Sequence, residues 1–206
     1  MIDFTAALAH FKIVDPKLYT AAQSHIKKMS PPQKVAPSDY AFHLYSSIIS
    51  QQISTKAANA ILKRFLTLVG DPHDTDTILR QDIEDLRSIG LSRQKATYIK
   101  SIAKLTSNGT VKIDHLDELD DAEVIRELVL IKGVGQWTAE MFLMFTLCRP
   151  DVFSTGDLGL LNAAKKLYSK PDMTKDELLN ISQTWSPHRT TAALVLWSTL
   201  DNKPSA

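Results

Sequence analysis

Helical periodicity dominates this chain and leaves almost no room for a sheet. From Tyr40 to Ile49 the apolar residues Phe42, Tyr45, Ile48 and Ile49 recur at spacings of three and four, which draws one stripe down a helix. Ser54 follows as an N-cap, because its hydroxyl can accept from an amide two or three residues on. Ala57, Ala58, Ile61, Leu62 and Phe65 form the next stripe, and Gly70 closes it. The polar pair Gln51-Gln52 therefore sits at a junction between two helices. The same spacing predicts helices from Thr75 to Ser88, Arg93 to Ser107, Asp121 to Ile131, Trp137 to Cys148, Leu158 to Tyr168, Lys175 to Thr184 and His188 to Leu200. β-Branched alternation is nearly absent, so the expected class is all-α. The run Ser30-Pro31-Pro32-Gln33-Lys34-Val35-Ala36-Pro37 reads as an internal linker, since proline cannot donate into a helix and biases its neighbours to extended forms.

Composition narrows the class of function. The 206 residues are 44% hydrophobic and 23% charged, enough to build one compact domain or two intimate lobes and too apolar for a disordered chain. The single cysteine, Cys148, excludes an internal disulfide and the four-thiolate set of an iron–sulfur cluster. Met1-Ile2-Asp3-Phe4 offers no basic segment before an apolar run, and no stretch of 18 apolar residues occurs. The expectation is an unprocessed, soluble, intracellular protein with no membrane partner. Lys and Arg total 24 against 23 Asp and Glu, a net charge of +1 that exerts no general pull on a polyanion. The halves differ: residues 1–103 carry 13 basic and 9 acidic side chains, whereas 104–206 carry 11 and 14. Seven carboxylates crowd between Asp114 and Glu127, a pattern that usually marks a solvated face. His43, His115 and His188 do not fall at metal-ligand spacing, so no metal site is expected.

The most informative segment is Leu128-Val129-Leu130-Ile131-Lys132-Gly133-Val134-Gly135-Gln136-Trp137-Thr138-Ala139-Glu140-Met141. It reads as helix, tight Gly-Val-Gly turn, helix. Glycines two apart permit positive φ and close backbone approach, and the second helix opens with amides that have no intrahelical partner. Those amides and the helix dipole suit a phosphate oxygen. Taken alone, the segment is equally an αα-hairpin that packs and binds nothing.

Its context is richer. Arg149-Pro150-Asp151-Val152-Phe153-Ser154-Thr155-Gly156-Asp157-Leu158 follows it, and three further blocks accompany it: Ser50-Gln51-Gln52-Ile53-Ser54, Leu86-Arg87-Ser88-Ile89-Gly90-Leu91-Ser92-Arg93-Gln94-Lys95-Ala96, and Thr184-Trp185-Ser186-Pro187-His188-Arg189 leading to Trp197. In this order, over roughly residues 40 to 200, they resemble the helix-hairpin-helix DNA glycosylase superfamily, and within it the alkylbase branch of 3-methyladenine DNA glycosylase II. The resemblance implies an all-α, two-lobe fold with an active-site cleft between lobes. One lobe would span 42–147 and the other 1–41 plus 148–206, without the smaller β-rich N-terminal domain of some relatives. It implies a monomer acting on damaged double-stranded DNA, removing alkylated purines and leaving an abasic site.

By resemblance Asp157 is the catalytic residue. Its own context makes it an N-cap or first-turn acid of the next helix, a role compatible with catalysis, since a helix N-terminus stabilises negative charge by about 0.3–1 kcal/mol. A fixed carboxylate stabilises the oxocarbenium character that develops on deoxyribose when an N-glycosidic bond breaks. In relatives that also cut the strand, a lysine two residues after the second hairpin glycine forms a Schiff base. Trp137 stands there, so hydrolysis without strand cleavage is implied. Trp197, Trp137 and Met141 are candidates for the base pocket, where an indole face attracts a cationic alkylpurine by about 0.5–2 kcal/mol. Met141 replaces a tyrosine of some relatives. Both tryptophans are equally at home in a core. Lys132, Gly133, Val134, Gly135, Gln136 and Thr138 form the DNA-binding hairpin. Gln52, with Gln51, Ile53 and Ser54, lies at the family's wedge position, where a side chain fills the space left by an extruded nucleotide. Arg93 and Lys95 either touch phosphate or face solvent. No cofactor is implied, and whether the hairpin carbonyls hold a monovalent cation is left open by the sequence. The rival reading is a non-catalytic homologue that binds abasic or distorted DNA.

Overall fold

A computed structural model describes residues 2–201. Among them the regular elements are all helical: α1 (Phe4–Val14), α2 (Pro16–His25), α3 (Tyr40–Ser50), α4 (Thr55–Val69), α5 (Thr75–Arg80), α6 (Ile83–Ser88), α7 (Arg93–Ser107), α8 (Asp121–Val129), α9 (Gln136–Phe145), α10 (Leu158–Tyr168), α11 (Lys175–Gln183) and α12 (Arg189–Asp201), with three short 3-10 turns. No described helix is long and apolar enough to cross a membrane.

The chain divides into two compact units, Met1–Lys34 with Leu143–Ala206, and Val35–Phe142. The first boundary falls inside the proline-rich run and the second inside α9, rather than at residues 41/42 and 147/148. In the first unit α12 packs on α2, α10 and α11, and α1 packs on α2. Its core holds Phe11, Leu18, Leu160, Trp185 and Leu196. In the second unit α7 is the hub, packed against α3, α5 and α6.

Caps decide where these helices begin. Asp3 accepts from Thr5 N and Ala6 N to start α1. Asp15 ends α1 and starts α2, whose first residue is Pro16, a position where the missing N–H costs nothing. Neither helix was among those predicted from periodicity. α1 is apolar nearly all round, so it lacks the stripe that flags a helix, yet the Asp3 and Asp15-Pro16 start signals were present. The helix expected from Thr75 to Ser88 is two helices. Asp82 and Asp85 exchange backbone hydrogen bonds in a capping box that starts α6 afresh, and Lys100 Nζ donates to the Leu79 and Gln81 carbonyls left at the break. The buried stripe of α3 runs through Tyr40, Ala41, Leu44, Tyr45, Ile48 and Ile49, and Phe42 lies beside it, half-exposed with its ring tilted against His73. Ala57, expected on the α4 stripe, is exposed, and Ala58, Phe65 and Val69 form the buried face.

Candidate active site and nucleic-acid interface

In the first unit the candidate acid sits where a loop meets a helix. Asp157 has extended backbone (φ −76°, ψ 116°) and caps α10, with Oδ1 accepting from Leu160 N at 2.8 Å. Trp197 Nε1 donates to the same oxygen at 3.2 Å. That approach needs Gly159: a Cβ there would lie 2.9 Å from Asp157 Oδ1 and 3.3 Å from Trp197 Nε1. The carboxylate is half-buried, and the next residue, Leu158, is 66% exposed. The Trp197 ring stacks on Phe145, with centroids 6.0 Å apart and an interplanar angle of 28°. Phe145 is itself 40% exposed, so carboxylate, indole and phenyl form one partly open patch.

Sequence reasoning missed Phe145 and Gly159, although both left signals. Trp137, Met141 and Phe145 recur every fourth residue along α9, and Trp137 (44% exposed) and Met141 (half-exposed) share with Phe145 a side unlike the buried Ala139, Phe142 and Leu143. A glycine in the first turn of a helix costs about 1 kcal/mol relative to alanine, so Gly159 signals a steric demand.

In the second unit the hairpin is built by one glycine at positive φ and three buried anchors. α8 ends at Val129, and Ile131 N reaches back to Leu128 O at 3.1 Å. Gly133 adopts φ +96°, and Val134 N then closes the turn on Ile131 O at 3.0 Å. A Cβ at Gly133 would lie 2.2 Å from the Tyr98 ring, so position and packing both require glycine. Gly135 has no positive φ; a Cβ there would meet nothing within 4 Å. Its lack of a side chain leaves open backbone rather than relieving strain. Ile131, Val134 and Thr138 are buried and pin the turn, whereas Lys132, Gly135, Gln136 and Trp137 are exposed. Val134 and Thr138 therefore offer a ligand only their backbone. Gln136 Nε2 is engaged by Glu140 Oε1 at 3.0 Å.

The wedge segment is tied to this hairpin through Gln51. Its side-chain amide donates long bonds to Gly133 O and Thr138 Oγ1, both 3.4 Å. Gln52 takes φ +56° and is exposed, and Ile53 is 38% exposed. A non-glycine residue in the left-handed region costs about 1–2 kcal/mol, which marks this loop tip as held for a reason. Ser54 caps α4 by accepting from Ala57 N at 3.3 Å. Lys95 does not face phosphate. Its ammonium donates to Ile49 O (2.8 Å) and Gln51 O (2.6 Å) at the end of α3, and burial lowers its pKa. Arg93 pairs with Glu84 at 2.6 Å on the surface. Beside the hairpin turn lies a groove of about 480 Å³, lined in part by Gln51, Gln52, Ile53, Gly90, Tyr98 and Gly133.

Among the described residues, no three His, Cys, Asp or Glu side chains gather closely enough to hold a metal ion.

A helical chain whose glycine hairpin precedes a capped aspartate defines a class of DNA repair protein, and the family comparison agrees. Residues 45–188 match the HhH-GPD superfamily of base excision DNA repair proteins, and the chain belongs to it. Bacillus subtilis YfjP is 32% identical over 173 residues, covering 79% of this chain and 60% of its own. DNA-3-methyladenine glycosylase 1 of Schizosaccharomyces pombe is 38% identical over 160 residues, covering 76% of this chain and 70% of its own. The solved structure of the S. pombe 3-methyladenine DNA glycosylase Mag1 in complex with abasic DNA superposes with a TM-score of 0.79 at 32% identity, covering 94% of this chain and 96% of that one.

Proposed function

We propose that the protein is a monofunctional DNA glycosylase that hydrolyses the N-glycosidic bond of alkylated purines, 3-methyladenine and 7-methylguanine, in duplex DNA during base excision repair. The observation that carries this reading is the half-buried Asp157 carboxylate, oriented by Leu160 N and Trp197 Nε1 beside a partly open aromatic surface. The similarity to S. pombe Mag1, solved with abasic DNA, supports it.

The alkylated base is cationic, so it departs with the electron pair of the C1′–N bond and needs no proton from an acid. Positive charge then grows on the sugar, and Asp157 stabilises it. A fixed charge of this kind contributes about 3 kcal/mol, or a hundredfold or more in rate. A water oxygen bonds to C1′, its proton passes to solvent, and an abasic sugar remains on an intact strand. The stacked Trp197 and Phe145 rings offer π faces to a cationic purine. Trp137 and Met141 join them as candidates on the strength of the shared α9 side. Trp137 at the lyase-lysine position supplies no amine for a Schiff base.

DNA is gripped, in this reading, by the open backbone at Lys132–Gln136, while Gln52 and Ile53 fill the space of the extruded nucleotide. That grip relies on amides and one loop rather than on a basic surface, consistent with the net charge of +1. A monovalent cation at the hairpin carbonyls fits the chemistry of the turn, since Gly133 O, which takes a long contact from Gln51 Nε2 (3.4 Å), is a hard oxygen ligand of the kind such an ion prefers. Such an ion would add positive charge facing a phosphate. The protein is proposed to act as a monomer.

The test is release of methylated bases from duplex DNA by the wild type and by Asp157→Asn, with alkali treatment to reveal abasic sites. Release by the wild type alone is expected. Equal release by both would remove Asp157 from the mechanism, and abasic-duplex binding without release by either would favour a non-catalytic binder. Borohydride reduction with an abasic substrate is expected to trap no covalent adduct.

A further inference from the structure

The loop that delivers Asp157 is held to α12 at both ends. At its exit Trp197 Nε1 meets Asp157 Oδ1. At its entry Arg189, the first residue of α12, grips Asp151 with a fork: Nε to Oδ1 at 2.8 Å and a terminal nitrogen to Oδ2 at 3.0 Å. Arg189 N adds a third bond to Oδ1 at 3.2 Å, and Ser186 Oγ a fourth to Oδ2 at 2.8 Å. The next residue, Thr190, is fully buried and spends its polar groups on the same loop. Its amide donates to Pro150 O (3.0 Å), its hydroxyl donates to Arg149 O (2.6 Å), and that hydroxyl accepts from Val152 N (3.0 Å).

We infer that Asp151, Arg189 and Thr190 are positioning residues for base release: they form a clamp that sets the entry of the 149–157 loop and thereby places the Asp157 carboxylate. The inference rests on the glycosylase reading above.

Several observations carry it. The route from clamp to carboxylate is short and anchored throughout. Val152 and Ser154 are buried, Phe153 packs edge-on against buried Trp185 (5.4 Å, 68°), and Asp157 N bonds back to Ser154 O at 3.2 Å. A displacement at Val152 has little slack in which to dissipate. One rigid helix holds both ends, because residues 190 and 197 lie about 10 Å apart along α12 at 1.5 Å per residue. Asp151 is no rival catalytic acid, since both its oxygens are occupied. Burial raises its pKa, but the bonds from Arg189 and Ser186 outweigh this and hold the carboxyl below the usual range. Reaction rates depend steeply on such placement, with an error of about 1 Å costing on the order of a hundredfold.

Isosteric variants separate positioning from stability. Thr190→Val keeps the shape and loses the hydroxyl; Thr190→Ser keeps the hydroxyl. Single-turnover release of 7-methylguanine from duplex DNA would be measured beside the Kd for a duplex bearing a tetrahydrofuran abasic analogue. Thr190→Val is expected to slow release about tenfold or more with Kd within about twofold, and Thr190→Ser to restore most of the rate. Arg189→Lys, which keeps the charge and loses the fork, is expected to slow release without weakening binding, and it carries the test should Thr190→Val fail to fold. Undiminished release in the variants would overturn the clamp. So would parallel loss of rate and abasic-duplex affinity, the mark of a merely structural role. Wild-type protein that releases no base would overturn the glycosylase reading and the clamp together, whereas wild-type release matched by the variants overturns the clamp alone.

Discussion

Two aspartates in the first unit share one local grammar and differ in outcome. Asp15 and Asp157 each cap a helix and accept the amide three residues on, Leu18 N at 3.0 Å and Leu160 N at 2.8 Å. Each also accepts an indole N–H, from Trp185 at 2.9 Å and Trp197 at 3.2 Å. Asp15 is 8% exposed, and its second oxygen takes the Tyr168 hydroxyl at 2.5 Å as well as the indole. It joins α2 to α10 and to the segment before α12. At Asp157 the Leu160 and Trp197 donors converge on Oδ1, the carboxylate is half-buried, and an exposed leucine and a partly open aromatic pair lie beside it. Capping and an indole partner are common to both carboxylates; what separates them is burial, deep at Asp15 and partial at the proposed catalytic Asp157.

The widest split comes from neutralising each in turn. Asp157→Asn keeps the cap geometry and is expected to slow base release by about a hundredfold or more, with little change in melting temperature. Asp15→Ala should do the reverse. Hydrogen bonds to a charged group contribute about 1.5–3 kcal/mol each, so losing this set should cost about 3 kcal/mol or more. That corresponds to a fall in Tm of roughly 10 °C for a chain of this size. Release per folded molecule should be retained. Large rate loss in Asp15→Ala at a temperature where it remains folded would break the comparison.

A smaller effect tests the contact that defines the Asp157 corner. Gly159→Ala removes nothing; it adds a methyl 2.9 Å from Asp157 Oδ1 and 3.3 Å from Trp197 Nε1. Alanine is otherwise the better helix former by about 1 kcal/mol. The expected result is a rate loss of about tenfold from a misplaced carboxylate, with stability nearly unchanged because strain and propensity oppose. Single-turnover release and thermal melting on the same preparation check both parts. An unchanged rate would mean that the indole and carboxylate can separate without consequence.

How much of this was legible beforehand follows from the range of the interactions involved. Arg93–Ser107 and Leu158–Tyr168 were readable to the residue because Ser92 and Asp157 cap them and the apolar period is clean. The break between α5 and α6 was missed because Asp82 and Asp85 look like ordinary surface acids until their reciprocal bonds are seen. The loop positions at Gln52 and Asp157 were readable from motif context. The inward turn of Lys95 was not, since nothing local tells a lysine that carbonyls 44 and 46 residues away need donors. The Trp197 contact spans 40 residues and the Asp15 contact to Trp185 spans 170. Periodicity and caps report neighbours within a turn or two, and the partners that give a carboxylate its role lie far beyond that range.

The finest test asks whether the structural side of the molecule responds to pH without the chemistry following. His188, just before α12, packs against His10 (5.5 Å, 57°) and edge-on to Phe11 (6.5 Å, 89°) of α1. Burial lowers its pKa and the neighbouring His10 lowers it further, against weaker opposing pulls from Asp151 and Asp3. The folded protein therefore binds this proton less readily than the unfolded chain, whose histidines titrate near pH 6.5. Below that value the unfolded state holds more protons, so the contribution is complete above about pH 6.5 and is lost as pH falls toward the folded pKa. His188→Gln removes the titrating group. Its melting temperature should fall less than that of the wild type between about pH 7.5 and 5.5, while the pH trend of base release per folded molecule stays the same in both. Equal melting slopes would assign the pH response to other groups, and a changed release trend would tie this histidine to the Asp157 side of the comparison.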